Sequence, residues 1–281
     1  MCLLAVLWHA HPDAPLVVAA NRDEWLARPA GPMQVLRANG PRTLGGRDLV
    51  AGGTWLAVNE HGVVAALTNR PPRNAGAGAR DPARRSRGEL PVLLAAHATA
   101  RAAAAELART VRPGDYNPCW LLVGDRDSLH YLDLTGEGAV GPPEELAAGA
   151  HVLENRPLHV ASHKADFVRA RLAPLAAVPA AGGALVAALE AILRDHTVPE
   201  AARRGWHPPD PAAVAAAAAG GPPVPFVRPL ETEAACVHAG PYGTRAATIV
   251  LVPPGPGAPV VRATDGPSCT TAWADATSLW A

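Results

Sequence analysis

The apolar positions of this chain gather into short unbroken runs rather than a strict alternation. Leu3-Leu4-Ala5-Val6-Leu7-Trp8 and Leu16-Val17-Val18-Ala19-Ala20 are the first two, parted by His11-Pro12-Asp13-Ala14-Pro15. A turn cluster between two such runs predicts a β-hairpin over Cys2–His9 and Leu16–Asn21. Continuous apolar character marks strands covered on both faces. A second hairpin is predicted over Thr54–Val58 and Val63–Thr68, turned at Asn59-Glu60-His61-Gly62. Gly45-Gly46-Arg47-Asp48 and Ala51-Gly52-Gly53 read as a flexible approach to it. Asn69-Arg70-Pro71-Pro72 stops its second strand, because proline cannot donate to a ladder. Trp120–Gly124 and Leu129–Leu134 predict a third hairpin, and His151–Glu154 a further short strand. Thr232–His238, Thr244–Val252 and Val260–Thr264 read as closing strands.

Helical patterns lie between these strands. Arg73–Arg87 is rich in Gly, Ala and Arg without periodicity and reads as an exposed loop. Ser86 followed by Glu89 has capping-box spacing and predicts a helix running to about Arg109. Further helices are predicted over His163–Leu175 and Gly183–His196. The segment Arg204–Pro225 reads as irregular, save for a possible helix over Pro211–Ala219 that starts on proline and ends at Gly220-Gly221. Hairpins outnumber helices, and the helices sit mid-chain. That pattern predicts an α+β layered domain, with residues 1–281 forming one unit.

Charge narrows the function classes. Acidic and basic residues balance at 25 each, which supports neither a nucleic-acid surface nor general attraction to anionic membrane. Lys164 is the only lysine in an Ala-, Pro-, Gly- and Arg-rich chain. The four cysteines, Cys2, Cys119, Cys236 and Cys269, have no C-x-x-C pairing, and the chain is too long to need disulfide staples. Reduced thiols in a cytoplasmic protein are expected. The apolar start lacks a basic leader and soon meets His9, His11 and Asp13, so neither a signal peptide nor a membrane span is expected. His9, His61, His151, His159, His163 and His238 are scattered with no helical i, i+4 pair of metal-binding type, His159 preceding the helix predicted to start at His163. No metal site is therefore expected. Trp206, Trp273 and Trp280 either line a pocket or anchor irregular chain.

The candidate chemistry lies at the start of the chain. Removal of Met1 would leave Cys2 carrying a thiol and a free α-amine. The amine titrates near about 7.7–8.0 and a free thiol near about 8.5, so the amine can take the thiol proton at neutral pH. The thiolate is the reactive species, and an N-terminal amine activates such nucleophiles.

Met1-Cys2, Ala19-Ala20-Asn21-Arg22-Asp23-Glu24, Gly52-Gly53-Thr54-Trp55-Leu56, Ala65-Ala66-Leu67-Thr68-Asn69, Arg87-Gly88-Glu89-Leu90, Leu153-Glu154-Asn155 and Tyr242-Gly243-Thr244-Arg245 together resemble the NRDE family, also called the transport and Golgi organisation protein two family. Their order and spacing match from the first residue to about Val252. That family is similar in layout to cysteine N-terminal-nucleophile (Ntn) hydrolases of the choloylglycine and penicillin V acylase kind. The resemblance implies a four-layer αββα sandwich. It also implies a small-molecule acyl or amide substrate, with Cys2 as nucleophile and Asp23 accepting from its amine. Asn69, through its backbone N–H, and Asn155, through its side chain, would hold an oxyanion, the developing charge that amide cleavage must stabilise. Both asparagines also fit ordinary strand terminators.

The acyl hydrolases carry an arginine three residues before that aspartate. The position is Ala20 here, so Arg22 is the candidate to replace its charge. Strand periodicity, however, sets Arg22 on the face opposite Asn21 and Asp23. Arg245 would contact a substrate carboxylate, raise the local positive potential, or form a structural salt bridge. Ntn hydrolysis implies no cofactor. The family resemblance also carries a second expectation, a haem- or acyl-CoA-binding trafficking protein on the same fold, with one of the histidines as a haem ligand.

Overall fold

A computed structural model describes residues 2–70, 80–136, 138–218 and 227–281. In chain order the elements are β1 (Leu3–Trp8), β2 (Leu16–Trp25), β3 (Ala30–Arg37), β4 (Thr43–Asp48), β5 (Leu56–Asn59), β6 (Val64–Asn69), α1 (Glu89–Leu94), α2 (Ala100–Thr110), β7 (Cys119–Gly124) and β8 (Leu129–Leu134). They continue with β9 (Glu144–Glu145), β10 (Gly149–Leu153), α3 (His163–Leu172), α4 (Ala184–Leu193), α5 (Glu200–Gly205), α6 (Pro211–Ala218), β11 (His238–Ala239), β12 (Tyr242–Val252), β13 (Val260–Thr264) and β14 (Ala274–Asp275). Two antiparallel sheets result. The first runs β10-β1-β2-β12-β13-β14, with β11 also on β12, and the second runs in sequence order from β3 to β9.

Side-chain alternation turns these sheets into layers. Along β1 and β2, Leu4, Val6, Trp8, Val18 and Ala20 point inward and meet Leu44, Leu56, Val58, Val64, Trp120 and Leu122 of the second sheet. Leu3, Ala5, Leu7, Val17 and Ala19 point outward and pack under Val168 and Leu172 of α3 and Leu185 and Leu189 of α4. The outer face of the second sheet, including Val63, Ala65, Leu121 and Val123, is covered by Leu90, Leu94, Ala103 and Leu107 of α1 and α2. A strand buried on both faces has no polar side to show, which is why its sequence is an apolar run rather than an alternation. The outcome is the expected order of helices, sheet, sheet, helices.

Several expectations need correction. Gly45 and Gly46 belong to strand β4 rather than to a flexible approach. A Cβ on Gly46 would sit 2.3 Å from the Trp55 ring, so the glycine there makes room for an inward tryptophan. Gly46→Ala is expected to cost about 1–3 kcal/mol through overpacking, read as a lower urea midpoint with an unchanged slope. The helix predicted from Ser86 to Arg109 is two helices. Gly88, not Ser86, is the first cap, and Thr99 caps α2 by accepting from the Ala102 N–H. The break is held by the Asn59 side chain, which donates to the Ala95 and His97 carbonyls at 2.9 and 2.8 Å. The stretch read as a strand over Thr232–His238 is a 3-10 turn at Leu230–Glu233 followed by the two-residue β11. Strands β3 and β4 add a hairpin the pattern did not disclose. Trp206 and Trp280 are anchors, donating from their indoles to the Arg228 and Pro259 carbonyls. The stop at Pro71-Pro72, residues 73–79 of the Arg73–Arg87 loop and the Gly220-Gly221 helix end lie outside the described residues.

Candidate active site

Cys2 immediately precedes β1. Leu3 pairs with Asn21, so the register sets Cys2 opposite Arg22, with both on the inward face. Cys2 is buried, and that burial is the main reason its thiol titrates above the ordinary range. The Asp23 charge pushes the same way, while the Arg22 guanidinium and the Asp23 N–H oppose it without reversing it. The thiol therefore holds its proton at neutral pH and needs a nearby base to become reactive. Cys2, Arg22, Asp23 and Asn69 line one cavity of about 80 Å³, with Trp55 and Arg87 also on its wall. That volume is well below the roughly 300–1,000 Å³ usual for pockets that enclose a drug-sized molecule.

Strand alternation separates the members of the Asn-Arg-Asp-Glu quartet. Asn21 points outward and donates to the Leu193 and Ala235 carbonyls at 2.9 and 2.8 Å, tying β2 to the segments behind it. Asp23 points outward as well, where Thr244 Oγ1 donates to its Oδ1 at 2.7 Å. Lys164 Nζ lies 3.8 Å from Oδ2. Burial raises the Asp23 carboxyl above the usual carboxylate range, and Lys164 and the Thr244 hydroxyl only partly offset it.

Arg22 lies on the opposite face from Asp23, as its position in the strand requires, and this is the face of Cys2. Its side chain is only 4 % exposed, with Nη2 3.3 Å from Asp48 Oδ2. The guanidinium carbon lies 4.6 Å from the Trp55 ring centroid, a cation–π arrangement.

Asp48 fastens this wall of the cavity. It accepts from Arg28 at 2.9 and 3.1 Å and from the Val50 and Ala51 amides at 3.0 Å each. Burial pushes its carboxyl up, but the Arg28 and backbone bonds outweigh burial and hold it below the ordinary range. A carboxyl lowered by folding stabilises the fold above its unfolded value of about 3.9. That contribution is lost as pH falls through the lowered folded value. Asp48→Asn is therefore expected to lower stability at pH 7, and the difference from the parent should vanish in strong acid. Urea unfolding across the pH range checks this; a gap that persists unchanged below pH ~3 contradicts it.

Asn69 ends β6. The Leu67 N–H bonds to the Trp55 carbonyl and the Arg70 N–H to the Pro118 carbonyl. Backbone N–H groups alternate sides along a strand, so that of Asn69 points the way Leu67 does, past the start of β5. The Asn155 side chain, after β10, donates a short hydrogen bond to the Asn69 carbonyl. Asn155 thus meets Asn69 directly but is not on the cavity wall. Next to it, buried Glu154 accepts from Ser162 and lies 3.4 Å from Arg156. Ser162 also caps α3 by accepting from Ala165.

Arg245 is set apart. Thr244 pairs with Asp23 and Ala246 with Arg22, so Arg245 is the extra residue of a β-bulge. It does not line the cavity among the described residues.

Lys164 escaped the motif reading. It is fully buried in the first turn of α3, donating to the Thr232 carbonyl at 3.2 Å. The signal was present, since it is the single lysine among 25 basic residues. A compact ammonium fits a closed site where a forked guanidinium does not.

A sequence profile described as Transport and Golgi organisation 2 matches residues 1–255. The chain belongs to the Transport and Golgi organisation 2 family. The Transport and Golgi organization protein 2 homolog of Bos taurus is 31% identical over 274 residues, spanning 90% of this chain and 88% of that protein. Among solved structures, two variants of the conjugated bile acid hydrolase from Clostridium perfringens each superpose with a TM-score of 0.50 at 11% identity, covering 99% of this chain and 93% of theirs. At that identity the likeness is one of fold. This member of the Transport and Golgi organisation 2 family therefore has the four-layer architecture of Ntn hydrolases. No described helix is long and apolar enough to cross a membrane.

Proposed function

We propose that this chain is an Ntn-type cysteine amidohydrolase or acyl transferase acting on a small-molecule, non-peptide amide. The observation that supports it most is the cavity shared by Cys2, Arg22, Asp23 and Asn69. Once Met1 is removed, the Cys2 α-amine takes the thiol proton and the sulfur attacks the substrate carbonyl. The developing oxyanion accepts from the Asn69 backbone N–H and from the second N–H of the Asn155 amide, whose first is on the Asn69 carbonyl. The ammonium returns its proton to the leaving nitrogen as the C–N bond breaks. Water, deprotonated by the same amine, then releases the acyl group and restores the thiol. Asp23 orients the amine, and Arg22 lends positive potential beside the sulfur.

The cavity wall also favours an anionic substrate group. Burial lowers the Arg87 guanidinium below its ordinary value, and among the described residues it forms no ion pair. A carboxylate or phosphate on the substrate would relieve that cost.

The test is turnover of a panel of small N-acyl amides, followed by intact mass after an acid quench. An acyl adduct on Cys2 that disappears with time is expected. Binding of haem with a visible spectral shift, or of acyl-CoA, without any turnover or adduct would instead favour carriage and overturn the hydrolase reading.

A further inference from the structure

Behind the Cys2 site, three separate segments bring two histidines and two cysteines together. His196 follows α4, His238 opens β11 with Cys236 two residues before it, and Cys269 lies in the turn after β13. One ligand atom from each falls within 4.8 Å of all the others. His238 Nε2 is 3.2 Å from Cys269 Sγ and 3.9 Å from Cys236 Sγ. In a tetrahedral zinc site, Zn–S of about 2.3 Å and Zn–N of about 2.0–2.1 Å set sulfur and nitrogen roughly 3.6 Å apart. The observed separations bracket that edge length.

We propose that His196, Cys236, His238 and Cys269 form a structural zinc site. Two thiolates with two imidazoles match the ligand preference of tetrahedral Zn(II). Four protein ligands close the coordination shell, so the site holds chain together rather than activating water. The surroundings fit as well. His196 Nδ1 lies 3.0 Å from the Cys236 carbonyl; a carbonyl can only accept, so Nδ1 carries the hydrogen and Nε2 keeps its lone pair for the metal. Such an outer hydrogen bond fixes tautomer and ring orientation. The Cys236 N–H donates to the Asp195 carbonyl at 2.9 Å, and the Ser268 hydroxyl to the Leu193 carbonyl at 2.6 Å. The three ligand-bearing segments are thus already stitched to one another. Of ligand positions 196, 236, 238 and 269 only Cys236 and His238 are neighbours, and a lone Cys-x-His is not the paired spacing of a zinc motif, which is why the sequence raised no metal expectation. Only the fold gathers them.

The site also reaches the proposed chemistry. Val237, between two ligands, donates its N–H to Thr244 Oγ1 at 2.9 Å, and that hydroxyl donates to Asp23 at 2.7 Å. Fixing Val237 fixes the hydroxyl that aims Asp23.

Metal content of the purified full chain, kept in a non-thiol reductant, tests the proposal without any activity assay. After chelator treatment and removal, titration with Co(II) and then Zn(II) is expected to show one metal per chain. The cobalt form should show visible d–d bands and near-ultraviolet thiolate-to-cobalt charge transfer, both bleached by zinc. Cys269→Ser should lose about half of the charge-transfer intensity. His196→Ala, at an exposed position, should weaken zinc at least tenfold while leaving the circular dichroism spectrum intact. Sub-stoichiometric uptake, cobalt binding without charge transfer, or undiminished affinity in both variants would overturn it.

Discussion

Cys2→Ala protein is expected to fold like the parent and to lose acyl turnover by at least ~10³-fold, because removing a covalent nucleophile leaves only binding and oxyanion contributions. Folding should be spared because the change deletes one small, buried sulfur and adds no polar group. The loss should fall on kcat, since the sulfur forms the covalent bond of the proposed acyl-enzyme. Cys2→Ser is the sharper variant. It keeps a hydroxyl in nearly the same space, but a serine proton is much harder to remove, and burial already raises the thiol it replaces. Steady-state rates on one amide with parent, Ala and Ser proteins check this. Retention of full turnover by Cys2→Ala removes Cys2 from the reaction.

Asn155→Ala should lower kcat by roughly 10²–10³-fold, the usual loss for one oxyanion donor, and change KM little. An interaction made only in the transition state lowers kcat and kcat/KM together. The physical ground is the hydrogen bond from Asn155 to the Asn69 carbonyl, which sets the side-chain amide beside the strand end whose N–H is the other donor. A rise in KM with kcat preserved would instead make Asn155 a substrate-binding or purely structural group. Asn155→Gln is a useful companion. It retains the amide but moves it by one methylene, so a loss near that of alanine argues for placement rather than mere polarity.

The strands nearest the site were the most legible part of the chain. β1 and β2 are buried on both faces, and their unbroken apolar runs said so. β3 was not legible because it is an edge strand, mostly half-exposed along its length, and its mixed sequence Ala-Gly-Pro-Met-Gln-Val-Leu-Arg carries no period. Gly46 misled because glycine serves two ends. Local chemistry suggests flexibility, whereas the tertiary need, space for Trp55, is invisible until the sheets are stacked. The break between α1 and α2 depends on Asn59, about 40 residues earlier in the chain, whose side chain takes the carbonyls that a continuous helix would use. Propensity alone cannot register that competition.

At the site the same division holds. Cys2, Arg22, Asp23 and Asn69, named from short motifs, do meet in one cavity. Arg245, named with them, does not, because a bulge of one residue shifts it out of register. Alternation separates Arg22 from the Asp23 carboxylate, as the strand period requires, and the same period sets it on the side of the sulfur. Lys164 meets Asp23 across 141 residues, and the His196, Cys236, His238 and Cys269 cluster joins three segments 31 or more residues apart; no spacing rule spans that range.

The central claim is that the mature chain begins with a cysteine that is acylated during turnover. Intact mass of active protein, before and during reaction with a small amide, tests it most directly. The account predicts a chain lighter by one methionine that gains a single transient acyl mass, localised to Cys2 by fragmentation. Active protein that retains Met1, or that turns substrate over with no adduct on Cys2, contradicts it.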